Sequence, residues 1–176
     1  MVALGGLPGV GKSTVARALL AHWPAVYLRI DTIEQALRDS GVLIAGEVGA
    51  AGYMAAYALA RAQLVQGLRV LVDCVNPLPV TRDAWRAVAR DAQALLLEVE
   101  VVCSDPVEHR RRVEQRVLDV PGLVAPTWTS VLQHDYAPWN VAPLVIDTAR
   151  MDADQAALQV LAAVQALQCR VGSASG

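Results

Sequence analysis

The stretch Gly6-Leu7-Pro8-Gly9-Val10-Gly11-Lys12-Ser13 decides the fold of this chain. It follows the apolar run Val2-Ala3-Leu4, and it precedes a segment in which Val15, Leu19 and Leu20 have the spacing of one helix face. Glycine adopts backbone angles that other residues avoid, so glycines at this spacing suit a tight turn. The sequence therefore predicts a strand, a glycine-rich turn and a helix in immediate succession.

The composition of this turn points to a phosphate-binding loop. Its backbone N–H groups can surround phosphate oxygens, and the N-terminus of the following helix adds its positive end. In the pattern G-x-x-x-x-G-K-S, we expect Lys12 to reach the terminal phosphates of ATP, Ser13 to ligate Mg²⁺ and Thr14 to contact the first phosphate. The residues expected to bind the nucleotide are Gly6, Leu7, Pro8, Gly9, Val10, Gly11, Lys12, Ser13 and Thr14. The alternative is a chance match, against which the flanking strand and helix argue.

Along the whole chain, apolar runs of strand length alternate with segments of helical period. This alternation is typical of an α/β fold in which helices cover both faces of a parallel sheet. Strands are predicted at Val2–Leu4, Val26–Ile30, Val70–Val72, Leu95–Val102 and Leu144–Ile146. Helices are predicted at Lys12–His22, Thr32–Ser40, Gly52–Gln66, Thr81–Gln93, Pro106–Leu118 and Asp152–Gln168. We expect one domain over residues 1–170 and a flexible polar tail at 171–176.

The overall composition favours a small-molecule partner. The chain has 176 residues, a formal net charge of -2 and 55% hydrophobic residues, which is typical of a globular domain with a sizeable core. A chain so close to neutral has no overall attraction for nucleic acid or anionic lipid. We therefore expect no nucleic acid and no membrane as partners, and a monomer or a homodimer.

The cysteines and the N-terminus favour the cytoplasm. Cys74, Cys103 and Cys169 lack metal-ligand spacing, and their odd number argues against a disulfide framework. The apolar run at the N-terminus is not preceded by the positive charges of a secretion signal. The apolar stretch at 41–60 contains Glu47 and many small residues, so it is predicted to form a loop and a buried helix rather than a membrane span.

Three aspartates follow predicted strands, and ligands of parallel sheets bind beyond the carboxyl ends of the strands. If the third strand lies beside the first, Asp73 is next to Ser13 and suits magnesium. Asp31 would then face the group that receives a phosphoryl group and act as a general base. A helix cap is the alternative role for each of these aspartates. Asp147 is expected to organise the loop that borders the adenine.

An arginine-rich helix precedes a segment that is broken by prolines. Arg112 and Arg116 lie four residues apart on one helix face, where a kinase would use them to clamp phosphates; a solvated helix face is the alternative. The segment from Asp119 to Trp139 is interpreted as a mobile flap, within a lid-like region at about 110–139. Three further residues are predicted on the acceptor side, namely Arg38, Asn76 and Arg82.

Together these residues resemble the small P-loop kinases and phosphotransferases, which have an AAA-type ATP-binding domain. That family includes adenylylsulfate kinase, gluconate kinase, chloramphenicol phosphotransferase, polynucleotide kinase and the zeta toxins. The loop from Gly6 to Ser13 carries the specific part of the resemblance. Arg29-Ile30-Asp31 is similar to the end of the second strand in the family, Val70 to Pro77 to its third strand, and Val101 to Pro106 to its fourth.

The resemblance implies a P-loop nucleoside triphosphate hydrolase fold, a three-layer sandwich whose five-stranded parallel sheet has the order 2-3-1-4-5. It also implies transfer of the terminal phosphoryl group from ATP with Mg²⁺ to a hydroxyl of a small-molecule acceptor. Several members have an arginine three residues after the strand-two aspartate, whereas this chain has Glu34 there and Arg38 as its next cation. Because Glu34 would repel an anionic acceptor, a neutral or cationic metabolite or antibiotic is favoured. The alternatives are an ATPase or nucleotide-binding switch module, and a polynucleotide 5'-hydroxyl kinase or zeta-toxin-like kinase.

Overall fold

Five parallel strands form one sheet. The structure is a computed structural model that describes residues 1–41, 48–141 and 143–174. The strands are β1 (Val2–Gly5), β2 (Val26–Arg29), β3 (Val70–Asp73), β4 (Leu97–Val102) and β5 (Leu144–Asp147). Their order is β2-β3-β1-β4-β5, so the parallel sheet and the order expected from the resemblance are both confirmed.

Helices cover both faces of the sheet. They are α1 (Lys12–His22), α2 (Ile30–Asp39), α3 (Ala51–Val65), α4 (Pro79–Asp91), α5 (Pro106–Glu114), α6 (Trp128–Leu132) and α7 (Ala153–Ala174). Helices α1 and α7 pack against each other on one face, while α3 packs between α2 and α4 on the other. The three-layer arrangement follows, with the two apolar cores separated by the sheet.

The alternation of side chains along β1 supplies both cores. Val2 and Leu4 belong to the core beneath α1 and α7, whereas Ala3 belongs to the core beneath α3 and α4. Every residue of β1 and β3 is buried, as expected for central strands with helices on both faces. Polar side chains are therefore left to gather at the carboxyl edge of the sheet.

The predicted and observed elements differ most near the C-terminal half. Helix α5 ends at Glu114 rather than Leu118, so Arg116 lies beyond the helix on which it was predicted. Helix α6 was not predicted; it has five residues, begins at Trp128 and is capped by Thr127, whose hydroxyl accepts a hydrogen bond from the Ser130 amide. Helix α7 continues to Ala174, so the chain is helical at 171–174, where a flexible tail was expected.

The apolar stretch at 41–60 forms a helix where it is described. Helix α3 begins at Ala51, while much of the predicted loop falls on residues 42–47, outside the described residues. Among the described helices, none combines the length and the apolar character needed to cross a membrane.

The buried side chain of Arg82 anchors the end of the predicted flap. Its guanidinium donates to four backbone carbonyls, those of Asn76, Pro77, Ala137 and Pro138, over 2.7–3.1 Å. It also lies 4.2 Å from the ring centroid of Trp139 and 5.3 Å from that of Tyr136. Residues 136–139, at the end of the segment that was predicted to be a flap, are therefore packed against the body of the domain. We call the remaining connection, residues 115–127, the lid loop.

Candidate active site

The glycine-rich turn has the conformation that its sequence predicts. Gly9 and Gly11 have φ angles of 83° and 99°, in the left-handed region that favours glycine. A Cβ atom on Gly9 would also meet the Val113 side chain of α5 at 2.5 Å. Both the backbone angle and the lack of space therefore require glycine at this position. The amides of Thr14 and Val15 donate to Gly11 O at 3.1 and 3.0 Å, which starts α1 directly after the turn.

The side chain of Lys12 is folded back onto the turn. Its ammonium group donates to Gly6 O at 2.8 Å and to Leu7 O at 3.0 Å. Burial lowers the pKa of Lys12, while the carboxylates of Asp73 and Asp31 act in the opposite direction. The one lysine of the chain thus lies inside the turn that would hold phosphates.

Two hydroxyl groups converge on one oxygen of Asp73. Ser13 Oγ donates to Asp73 Oδ2 at 2.6 Å, and Tyr27 Oη donates to the same oxygen at 2.7 Å. The pairing of Leu4 with Asp73 in the sheet register explains why β3 delivers this aspartate to the start of α1. Magnesium prefers oxygen ligands and keeps few protein ligands beside phosphates and water, so the oxygens of Ser13 and Asp73 fit Mg²⁺. Among the described residues there is no group of three or more acidic, histidine or cysteine side chains suited to a metal.

Asp31 lies between two arginines at the start of α2. Its Oδ2 atom is 3.4 Å from Arg29 Nη2 and 3.6 Å from Arg116 Nη2. Its side chain is 38% exposed, so a small molecule in the cleft can reach the carboxylate. Arg116 therefore contacts the predicted general base, although it lies beyond the end of α5.

Arg112 is held at the other side of the turn. Its Nε atom donates to Glu108 at 2.7 Å and its Nη1 atom to Thr148 Oγ1 at 2.8 Å. Thr148 in turn donates to Val10 O at 2.7 Å, which links Arg112 to the turn. Hydrogen bonds from Arg111 and, to a smaller extent, from Arg112 lower the pKa of Glu108 to about 2.

Helix α5 rests on the glycine-rich turn. The buried ring of His109 is hydrogen-bonded through Nε2 to Pro8 O at 2.8 Å, and Trp128 of α6 packs edge-on against that ring at 5.1 Å. The contact of Val113 with Gly9 lies beside this bond. The arginine-bearing helix is thus fixed to the turn by its buried face.

The lid loop is bonded to both β2 and α1. Asp119 accepts from Arg29 Nη1 at 2.8 Å and from Arg17 Nη1 at 3.1 Å. The hydrogen bond from Arg29 lowers the pKa of the Asp119 carboxyl. Nearby, Gly122 lies against Gln35 of α2, so the loop crosses the carboxyl edge of the sheet.

One cleft of about 890 Å³ brings most of the predicted site together. Of the residues predicted from the sequence, its walls include Pro8, Gly9, Gly11, Lys12, Ser13, Thr14, Asp31, Asp73, Arg112 and Arg116. Gly6, Leu7 and Val10 belong to the same turn without lining the cleft. The predicted donor side and the aspartate at the end of β2 therefore share one space.

Three residues predicted on the acceptor side are not among those that line the cleft. Arg82 is fully buried in the anchor described above, and Asn76 is fully buried and has a φ angle of 51°. Arg38 forms an ion pair with Glu34 at 3.5 Å on α2. The structure therefore does not bring Arg38, Asn76 and Arg82 to the site.

A comparison with known protein families agrees with this geometry. The AAA domain matches residues 1–133 of the chain, which is more than half of its length. The chain belongs to the AAA domain family. This AAA domain is 33% identical over 117 residues to uncharacterized proteins of Mycobacterium tuberculosis (strain ATCC 25618 / H37Rv) and Mycobacterium bovis (strain ATCC BAA-935 / AF2122/97). The match covers 60% of this chain and 23% of each relative, so the chain spans about a quarter of their length.

Solved structures share the fold of this AAA domain. The Mycobacterium tuberculosis APS kinase CysC in complex with AMPPNP and APS has a TM-score of 0.67 at 21% identity, with 93% of this chain and 96% of that chain covered. Chaetomium thermophilum Kti12 in complex with ADP-AlF3 has a TM-score of 0.67 at 20% identity, covering 91% and 96%. A gluconokinase from Sinorhizobium meliloti 1021 has a TM-score of 0.62 at 20% identity, covering 93% and 91%. This AAA domain therefore shares the fold of these structures.

Several residues around the site of this AAA domain were missed by the sequence reasoning. They are Arg17, Tyr27, Arg29, His109, Asp119 and Thr148. For Tyr27 and Arg29 a signal existed, because alternate residues of a strand share a face and Arg29 lies in register with Asp73. For Asp119 and Thr148 no periodic pattern applies, since both lie in irregular segments.

Proposed function

We propose that this chain is an ATP-dependent kinase that transfers the terminal phosphoryl group of ATP to a hydroxyl of a small molecule. The observation that carries the proposal is the cleft in which Lys12, the Ser13–Asp73 pair and Asp31 share one space. A module that only binds nucleotide needs the first two features. The third feature, Asp31, is a carboxylate that is open to the cleft, and such a group suits a proton acceptor.

The nucleotide side of the proposal assigns roles to the turn. The N–H groups at the start of α1 bind phosphate oxygens, and Lys12 leaves the carbonyls of Gly6 and Leu7 to neutralise the terminal phosphates. Ser13 and Asp73 would hold Mg²⁺, which would supply positive charge to the phosphates. Arg112, fixed beside the turn by Thr148, supplies a further cation on the nucleotide side.

The acceptor side centres on Asp31. Its carboxylate accepts the proton of the acceptor hydroxyl as the hydroxyl oxygen attacks the terminal phosphorus atom. The bond from that phosphorus to the bridging oxygen breaks, and ADP leaves with the bonding electrons. Arg116, which contacts Asp31 at 3.6 Å, is placed to stabilise the charge of the phosphoryl group in transfer.

A transfer assay with labelled ATP tests the proposal. The wild type is screened with alcohols, nucleosides, aminoglycosides and oligonucleotides, and the expected result is label on a small hydroxylated compound. Lys12→Ala should remove ATP binding and turnover, because the terminal phosphates lose their cation. Asp31→Asn should retain ATP binding and lower kcat by about 10²–10⁴, the usual contribution of a general base.

The outcomes separate the competing functions. Unchanged ATP affinity and turnover in Lys12→Ala would contradict the nucleotide site, and full transfer in Asp31→Asn would remove Asp31 as the base. Hydrolysis of ATP that no acceptor stimulates would favour an ATPase or switch module. Label on the 5' end of an oligonucleotide would favour a polynucleotide kinase.

A further inference from the structure

Next to Asp31, two arginines hold a carboxylate that the proposed phosphoryl transfer does not use. Arg29 and Arg17 each donate to a different oxygen of Asp119, at 2.8 and 3.1 Å. Arg29 ends β2 and Arg17 lies in α1, so both cations belong to regular elements of the domain body. Asp119 lies in the lid loop. Fixed cations thus face an anion that an irregular segment supplies.

The bonding capacity of Arg29 is only partly used. Its side chain is 7% exposed, and its Nε atom has no hydrogen-bond partner among the described residues. Its Nη2 atom is 3.4 Å from Asp31, longer than an ordinary N–H···O bond. A guanidinium presents its donors in a planar fork that matches a carboxylate or a phosphate with two parallel bonds. Asp119 therefore binds Arg29 through one nitrogen atom, Nη1, and does not form the two parallel bonds that the guanidinium fork allows.

The other carboxylates near Arg29 have partners of their own. Asp31 is shared with Arg116, and Asp73 accepts two hydroxyl groups. A cation that is this buried needs a nearby anion, because an unpaired buried charge is strongly destabilising. Without Asp119, the nearest carboxylate is that of Asp31 at 3.4 Å, which Arg116 shares, so a second anion in the place of Asp119 would stabilise Arg29.

We propose that Arg17 and Arg29 form a subsite for an anionic group of the acceptor, and that Asp119 occupies it until the acceptor binds. The acceptor is then a hydroxylated carboxylic acid or a phosphate ester. Its anionic group binds Arg29 and Arg17, while its hydroxyl reaches Asp31. This inference rests on the proposed kinase function, since it names the class of acceptor for the same cleft.

Glu34, whose charge was expected to repel an anionic acceptor, lies outside the cleft. Glu34 is not among the residues that line the cleft, and it pairs with Arg38 at 3.5 Å. Its side chain also packs against Gly52 at the contact between α2 and α3. The expected repulsion of an anionic acceptor by Glu34 is therefore weakened by a paired cation, whereas Arg29 and Arg17 line the cleft directly.

Calorimetry on protein saturated with AMPPNP and Mg²⁺ tests the subsite, because the phosphate loop is then filled. The probes are glycerate and glycerol 3-phosphate against glycerol, and gluconate against glucose. At least one acid should bind about tenfold or more tightly than its neutral counterpart, as expected for hydrogen bonds to a charged group. The two glycerol derivatives show whether the subsite prefers a carboxylate or a phosphate.

Two substitutions have opposite expected effects on the acids. Arg29→Gln should weaken their binding about tenfold or more, whereas Asp119→Asn should strengthen it because the competing charge is removed. Arg61→Gln, at an exposed position of α3, is the matched control and should change nothing. If Asp119 only ties down the lid loop, Asp119→Asn will weaken acid binding or leave it unchanged, and the subsite is overturned.

The binding of AMPPNP, measured first, separates this inference from the proposed function. If the wild type does not bind AMPPNP, the nucleotide site is contradicted. The acids are then titrated into the nucleotide-free protein, which still tests the subsite. Normal AMPPNP binding with equal affinity for acids and neutral compounds, in both the wild type and Asp119→Asn, would overturn the subsite alone.

Discussion

At the residue scale, the arrangement around Asp73 shows how a side chain outside the sequence motif supports it. Ser13 and Tyr27 donate to the same carboxylate oxygen, at 2.6 and 2.7 Å. Ser13 belongs to the turn, whereas Tyr27 comes from β2 and has no place in the phosphate-loop pattern. Groups that hydrogen-bond a metal ligand fix its orientation, so Tyr27 would position the carboxylate that holds magnesium.

Replacing Tyr27 with phenylalanine tests this positioning role. Tyr27→Phe removes one of two donors to Asp73, so the magnesium concentration needed for half-maximal nucleotide binding should rise about tenfold. The measurement is a nucleotide titration at a series of magnesium concentrations. Tyr57→Phe is the control, because its hydroxyl donates to Thr81 O at 3.3 Å, away from the turn. An equal magnesium requirement in both variants would contradict the role of Tyr27.

The thiol of Cys74 is expected to be unreactive in the folded protein. Burial raises the pKa of Cys74 to about 12, with a further rise from the neighbouring Asp73 carboxylate. Only the thiolate reacts with alkylating reagents, so Cys74 stays neutral and unmodified between about pH 7 and pH 9. Iodoacetamide followed by mass spectrometry should label the exposed Cys169 and leave Cys74 free until urea unfolds the chain. Labelling of Cys74 at the rate of Cys169 would contradict its burial.

At the element scale, the segment between α5 and β5 has two structural roles. The lid loop contributes Asp119 and Arg116 to the cleft, while residues 136–139 are bound to Arg82 of α4. The positions of the prolines in the sequence did not indicate that the lid loop and residues 136–139 have different roles. The direction of a side chain at the start of a helix, as for Arg82, follows from packing and not from its distance in sequence from a strand.

Loss of the Arg82 side chain should destabilise the whole domain. Arg82→Met leaves four backbone carbonyls without their donor and removes the contact with Trp139, so unfolding in urea should show a loss of at least about 3 kcal/mol. Arg90→Met on the same helix is the control. Its side chain is 74% exposed, and we expect a change within about 0.5 kcal/mol. Similar stability of the two variants would show that Arg82 does not anchor residues 136–139.

At the scale of the whole molecule, the periodicity of the sequence was sufficient for the architecture. Each of the five strands and six of the helices begins within two residues of its predicted start. The signal is strong because buried parallel strands are continuous apolar runs, while the helices between them have one apolar face. Helix α6, with five residues, is too short for that periodicity to be visible.

The acceptor side of the candidate site was harder to predict from the sequence than the nucleotide side. Residues of the turn are fixed by a local pattern, and Asp31 and Asp73 follow from the rule for strand ends. The arginines around the acceptor depend on long-range packing instead. Arg29 lines the cleft from the end of β2, in register with Asp73, whereas Asn76 is fully buried and has a left-handed backbone.

The contact between Arg82 and Trp139 also gives the protein an internal optical reference. Trp139 is stacked on a buried cation in the body of the domain, while Trp128 packs against His109, which is bonded to the phosphate-binding turn. The two indoles are therefore near neighbours in sequence with different sensitivities to the cleft. In the emission spectrum, to which Trp23 and Trp85 also contribute, we expect ligands at the turn to change the signal of Trp128 more than that of Trp139.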